Sequence, residues 1–169
     1  MSDRPKQRTT DRGLNGPPSS QAYKQEVARL AEKATRSKLY NEGYDSVRRM
    51  QHNKVHGIDL AAVKYDPAGR VKKACVVEVK GSADRKLSPA RFKEQVTQQY
   101  VEKNLRRAEA AGVRGADTLH QMAKQKALGI MGSTYRVNDR KGAQLHQIYE
   151  PPKTTAAPPV GAPSRGSRK

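Results

Sequence analysis

With a single cysteine, Cys75, the 169-residue chain can form no internal disulfide and no cysteine metal centre. Apolar residues flank that cysteine in mid-strand, so it reads as a small core residue. No run approaches the ~18 apolar residues of a membrane span. The opening MSDRPKQRTTDRG holds no apolar signal segment, so the polypeptide is expected to be soluble, with any export by a signal-peptide-independent route. Internal repeats, a Gly-rich phosphate loop and any Ser-His-Asp or Cys-His arrangement are also missing. Hydrophobic residues make up only 34%. That is enough for one domain with a proper core, and too little for all of the chain to be packed.

Acidic residues are scarce, 16 against 34 lysines and arginines, and the net charge is +18. A pI near 10.3 implies a polyanionic partner, most simply nucleic acid. Residues 1–19 carry four basic and two acidic residues, and residues 151–169 four basic and none acidic, which leaves +12 on residues 20–150. The folded part is therefore basic in its own right. Three segments follow: a basic leader, 1–19, with Leu14 as its one large apolar residue, expected to be disordered; a domain, 20–150; and a disordered Pro-rich basic tail, 151–169, able to add phosphate contacts without sequence information.

Within the domain, Ser19 or Ser20 can cap a helix from Gln21 to about Gly43, with Tyr23, Val27, Leu30, Ala31 and Ala34 at helical spacing. Leu39 falls out of phase with Leu30, which predicts a kink or reset. Tyr44 to Met50 reads as a first strand, with Arg48 and Arg49 on the nucleic-acid side, and His52 and His56 follow in a polar connection. The stretch from Gly57 to Lys80 reads as a hairpin turning through Pro67-Ala68-Gly69. Residues two apart on a strand share a face, so Glu78 and Lys80 project together while Cys75, Val77 and Val79 face a core. A turn near Pro67 makes cross-strand partners sum to about 135, which brings Asp59 within about two residues of Glu78. Two carboxylates that close repel each other unless a cation lies between them, and Mg²⁺ prefers such oxygen ligands.

Beyond the hairpin, Ser88-Pro89 opens a basic helix running to Ala111 and closed by Gly112, with Gln95 and Gln99 beside its apolar side. Asp117 caps a further helix stopped by Gly129. Ser133–Asn138 and Ala143–Tyr149 form a last hairpin, ended by Pro151-Pro152. The expected architecture is α/β: a helix, a three-stranded antiparallel meander, two helices and a final strand pair.

At Asp59 in His56-Gly57-Ile58-Asp59 and at Glu78-Val79-Lys80 the chain resembles the PD-(D/E)xK, or restriction-endonuclease-like, nuclease superfamily. Ala31-Glu32, Leu39 and Gly43-Tyr44 lie at the superfamily's upstream spacing, and Gly81-Ser82 leads to the helix carrying Gln95. Ile58 replaces the proline of the name pattern. Gln95-Val96-Thr97 followed by Tyr100-Val101 resembles the arrangement in secreted bacterial toxin members. The resemblance, over about residues 20–150, implies a restriction-endonuclease-like core and Mg²⁺-dependent hydrolysis of DNA phosphodiester bonds, with Mn²⁺ a substitute and RNA open as substrate. Asp59, Glu78 and the Val79 carbonyl would hold the metal, Lys80 would position or deprotonate water, and Gln95 would orient substrate. A helix glutamate would complete the shell: superfamily spacing favours Glu32, helical phase favours Glu26. Nothing resembles a base-reading module, which implies cutting without sequence specificity. The resemblance further implies an antibacterial effector acting in a bacterial cytoplasm, restrained at home by an acidic immunity protein. The alternatives are a housekeeping repair or resolvase nuclease, and a non-enzymatic DNA- or RNA-binding protein in which Glu78 and Lys80 are an ordinary ion pair.

Overall fold

A computed structural model describes residues 20–51, 57–139 and 141–153. The leader, the histidine-bearing connection with His52 and His56, Arg140 and most of the tail lie outside these residues, as do the expectations placed on them. Helix α1 (Gln21–Asn41) starts where the Ser20 hydroxyl accepts the Tyr23 N–H at 3.2 Å. It stops at Gly43, whose φ of +86° lets the Tyr44 N–H return to the Leu39 carbonyl and the Gly43 N–H to that of Tyr40. Between these caps it is one continuous helix, without the expected reset. Its buried stripe is Val27, Ala31, Thr35, Leu39, each four residues from the next. Thr35 is the link that puts Leu39 in phase. Its hydroxyl reaches the Ala31 carbonyl at 2.8 Å and the buried Ser133 hydroxyl at 2.7 Å, so a polar residue sits inside at no cost in unmet hydrogen bonds.

Strands β1 (Ser46–Arg49), β2 (Leu60–Tyr65) and β3 (Val71–Ser82) form the expected antiparallel meander. The β2–β3 turn is held by Asp66, whose carboxylate accepts the Ala68 and Arg70 N–H groups and pairs with the Arg70 guanidinium at 2.7 Å. A bulge between Lys64 and Tyr65 shifts the register, so partners nearer the site sum to 137, as in Leu60 opposite Val77. β3 is long because it serves two neighbours. Its first part pairs with β2, and Cys75 to Ser82 pair in parallel with β4 (Gly129–Arg136). β5 (Gln144–Tyr149) closes an open mixed sheet of order β1-β2-β3-β4-β5.

A parallel pair needs a crossover, and helices supply it. There are three where two were expected: α2 (Ala90–Gln95), α3 (Gln98–Ala110) and α4 (Ala116–Lys124). The single helix expected from Pro89 to Ala111 breaks at Val96-Thr97. Val96 leaves helical geometry and is buried, and the Thr97 hydroxyl accepts the Tyr100 N–H at 3.2 Å to cap a new helix. α4 starts from Gly115 rather than Asp117, which sits in its first turn. The expected stop at Gly129 is likewise corrected: Lys126, at φ 54°, ends the helical path and Gly129 opens β4.

The sheet separates two packed faces. On one, Val76, Ala61 and Ala74 meet Phe92, Val101, Leu105, Leu119 and Met122 from the crossover helices. On the other, Leu60, Ala62, Cys75 and Val77 meet Leu39 of α1, and Tyr135 meets Val27 and Ala31. Cys75 is a buried free thiol, as its setting predicted. No helix among the described residues is long and apolar enough to cross a membrane.

Candidate active site

Asp59 immediately precedes Leu60, the β3 partner of Val77, and so stands at the end of the hairpin near Glu78. The Asp59 carboxylate accepts the Val79 N–H at 2.6 Å through Oδ2 and the Gln51 side-chain amide through Oδ1. Glu78 is buried, and its Oε1 lies 3.1 Å from the Lys80 ammonium, which is exposed enough to meet solvent or substrate. Burial, then the negative charge of Glu78, push the Asp59 carboxyl up to about 7; the Val79 N–H and Lys80 partly offset them, and the charge of Glu32 adds to the rise. Asp59 therefore ionises only against resistance.

Two close contacts bring helices to this spot. A Cβ on Gly81 would lie 2.7 Å from the Ala31 Cβ, so glycine beside Lys80 lets α1 rest on the strand. A Cβ on Gly132, the β4 partner of Glu78, would lie 2.7 Å from the Phe92 ring, so glycine there lets α2 come down on the other face. Gly81→Leu is expected to lift α1 and to cost ~1–3 kcal/mol of stability, measured by urea unfolding, because both the Ala31 side chain and the Val27 carbonyl stand in the way. An unchanged midpoint would show that α1 is not seated by this contact.

The residue after Ala31 is Glu32, which shares an open cleft of about 1090 Å³ with Asp59, Val79, Lys80 and Gln51. Its carboxylate stands 3.6 Å from Arg49 and 4.0 Å from Arg36. Glu26 is not in the wall of this cleft. It is clasped by the Nε and Nη2 nitrogens of Arg29, at 2.9 and 2.6 Å, a hydrogen-bonded pairing that holds its carboxyl below the usual range. Between the two helix glutamates, the geometry sets Glu32 near the hairpin. Arg48 and Arg49 separate: Arg49 meets Glu32, while Arg48 lines a hollow against α4.

Gln95, the last residue of α2, is exposed and lines a second, smaller cleft together with Lys80. Lys80 thus borders both clefts. Tyr100, in the first turn of α3 and part of the arrangement that resembles toxin nucleases, was given no role at the carboxylates, yet burial and then the charges of Glu78 and Asp59 push its hydroxyl up to about 12. Its proximity to the carboxylates follows from the break at Val96-Thr97, which no helical periodicity reveals. Among the described residues no three of His, Cys, Asp and Glu gather as metal ligands. The acidic centre is the Asp59–Glu78 pair, with the Val79 backbone against it.

No family model, curated protein or solved structure matches the chain. The α/β architecture, with its N-terminal helix, mixed five-stranded sheet and crossover helices between β3 and β4, is defined by the structure itself.

Proposed function

We propose that the protein is a metal-dependent nuclease that hydrolyses phosphodiester bonds of DNA, with a core similar to the restriction-endonuclease-like fold. The observation that carries this reading is the gathering of Asp59, Glu78 and Lys80 at one end of the β2–β3 hairpin, with Asp59 and Lys80 in the wall of a basic cleft. Hard carboxylate oxygens repelling each other are a donor set that fits Mg²⁺, with Mn²⁺ able to replace it. Asp59, Glu78 and the Val79 carbonyl would hold the ion, with Glu32 near enough to act through water. When bound, the ion supplies Lewis acidity toward the phosphate and a lower pKa for water.

The chain's own groups do the rest. Lys80, exposed on one side and tied to Glu78 on the other, positions a water and offsets negative charge gathering on the phosphate. Gln95 presents an amide to the substrate from the α2 side, and Arg36 and Arg49 add positive charge on the α1 side. Contacts of this kind go to the backbone, which fits cutting without sequence specificity.

The rival, a bare DNA- or RNA-binding protein, has one observation in its favour: the 3.1 Å Lys80–Glu78 contact is what a simple surface ion pair would also show. A plasmid-nicking assay separates the two readings. Nicking in Mg²⁺ that stops in EDTA supports the nuclease; retardation of plasmid without nicking in either supports the binder.

For the setting we propose an antibacterial effector that works in a bacterial cytoplasm and is neutralised in its producer by an acidic immunity protein covering the cationic cleft. Expression of the whole chain without a partner in a bacterial cytoplasm is expected to arrest growth with loss of DNA, and Lys80→Ala to relieve the arrest. Healthy growth with intact DNA, despite soluble protein that nicks plasmid in vitro, would assign a regulated housekeeping role instead.

A further inference from the structure

We propose that the smaller cleft beside Lys80 is a binding pocket for a second phosphate group of the substrate, distinct from the one cut at Asp59 and Glu78. This rests on the nuclease reading and extends it. The cleft holds about 290 Å³ and is lined by Lys80, Arg85, Lys86, Ser88, Arg91 and Gln95. Four of these are cations, and no acidic residue lies in the wall among the described residues. The larger cleft, by contrast, includes Asp59 and Glu32. Four cations, with the Ser88 hydroxyl and the Gln95 amide able to donate as well, suit a phosphate, which offers only acceptors. At the lower end of ligand-site sizes, the pocket suits one phosphate with its sugar and excludes a duplex.

The segment that carries the cations is tied down. Asp84, the acid in the loop after β3, turns away from the pocket: its carbonyl accepts from Arg136 at 2.8 Å and its carboxylate accepts from the Asn138 amide. The Asn138 N–H also donates to the Ala83 carbonyl at 3.1 Å, and the Ser82 hydroxyl donates to the Arg85 carbonyl at 2.5 Å. Arg136 and Asn138 thus hold the one negative charge of the loop outside the pocket wall and fix the backbone on either side of it. Phe92 closes the pocket from behind, packed on Gly132 and stacked on His146 with ring centroids 6.2 Å apart. Lys80 stands in the walls of both clefts, so a strand lying over it presents one phosphate to the carboxylates and another to Arg85, Lys86 and Arg91.

The test uses the full chain in EDTA, where binding is read without cleavage. Affinity for a 12-nucleotide single-stranded DNA is measured against salt for the wild type, for Lys86→Ala/Arg91→Ala, and for a control that removes the same charge elsewhere, Lys72→Ala/Lys73→Ala. All four side chains are exposed, and circular dichroism checks that each protein folds. The pocket variant is expected to lose about tenfold or more in affinity and about one in the slope of log K against log salt, with the control losing clearly less. Equal losses in both variants would overturn the proposal, since net charge alone would then explain binding. The source of the phosphate is read by comparing 5′-phosphorylated, hydroxyl-ended and circular strands. A preference for the phosphorylated end that vanishes in the variant assigns a terminal phosphate, and an equal loss on the circle assigns a backbone phosphate. Mg²⁺-dependent plasmid nicking by the wild type is scored separately, so failure of the pocket and failure of the nuclease reading are told apart.

Discussion

Glu78→Ala is expected to abolish Mg²⁺-dependent plasmid nicking, lowering the rate by about 10³-fold or more, while the protein still folds and still binds DNA in EDTA. Asp59→Ala and Lys80→Ala should do the same. Glu78 stands near Asp59 at the end of the hairpin, and its Oε1 holds the Lys80 ammonium at 3.1 Å, so its loss removes an oxygen ligand and frees the cation at once. The fold should survive, because a buried carboxylate beside another is a liability to stability and its removal relieves repulsion. Binding in EDTA should be unchanged or slightly tighter, since one negative charge has left a basic surface. The three variants should not be additive: removing any one disables a shared assembly, so the double variant Asp59→Ala/Lys80→Ala should be about as inactive as either single one. Full activity in Glu78→Ala would sink the mechanism.

The elements that sequence reveals here are those governed by local pattern. The alternation through Cys75, Val77 and Val79 against Glu78 and Lys80, together with the Pro67-Ala68-Gly69 turn signal, was enough to bring Asp59 within about two residues of Glu78; the bulge between Lys64 and Tyr65 supplied the rest. What escaped depended on tertiary contacts. Thr35 reads as polar, and only its Ser133 partner makes it a core residue that continues the buried stripe from Ala31 to Leu39. Val96 and Thr97 fit a continuous helix by spacing, but burial of Val96 and the Thr97 cap divide it, and that division sets Gln95 at a helix end and Tyr100 toward the carboxylates. Lys126, rather than a glycine, takes the left-handed position after α4, a choice that propensity argues against. The choice between Glu32 and Glu26 was also beyond periodicity. It depended on Gly81, whose missing side chain lets Ala31 touch β3 and so turns the next residue, Glu32, toward the cleft.

Asp59→Asn is expected to make the metal-free protein more stable at pH 8 while leaving it inactive. The Asp59 carboxyl is raised from 3.8 to about 7, chiefly by burial and next by the charge of Glu78, so between about pH 4 and pH 7 the folded state binds a proton that the unfolded chain has released. The sign follows: this group's contribution is fully favourable below the unfolded value and is lost as pH rises through about 7. Each pH unit in that interval is worth about 1.4 kcal/mol, which sets an upper bound of about 4 kcal/mol. Partial solvent contact at the cleft reduces it to about 2–3 kcal/mol, or about 5–10 °C in melting temperature for a domain of this size. Asparagine can keep the acceptor for the Val79 N–H but carries no charge to bury. The measurement is the difference in melting temperature between variant and wild type in EDTA from pH 4 to pH 8, which cancels the other carboxylates, among them Asp66 and Glu26, whose lowered values act in the opposite direction. The difference should be near zero at pH 4 and grow toward pH 8. Adding Mg²⁺ at pH 8 should raise the wild type and leave the variant nearly unmoved, because an ion that binds only the folded state stabilises it in proportion to its affinity there. A difference that stays flat with pH would show that Asp59 bears no such strain, and a variant that gains as much from Mg²⁺ as the wild type would place the ion elsewhere.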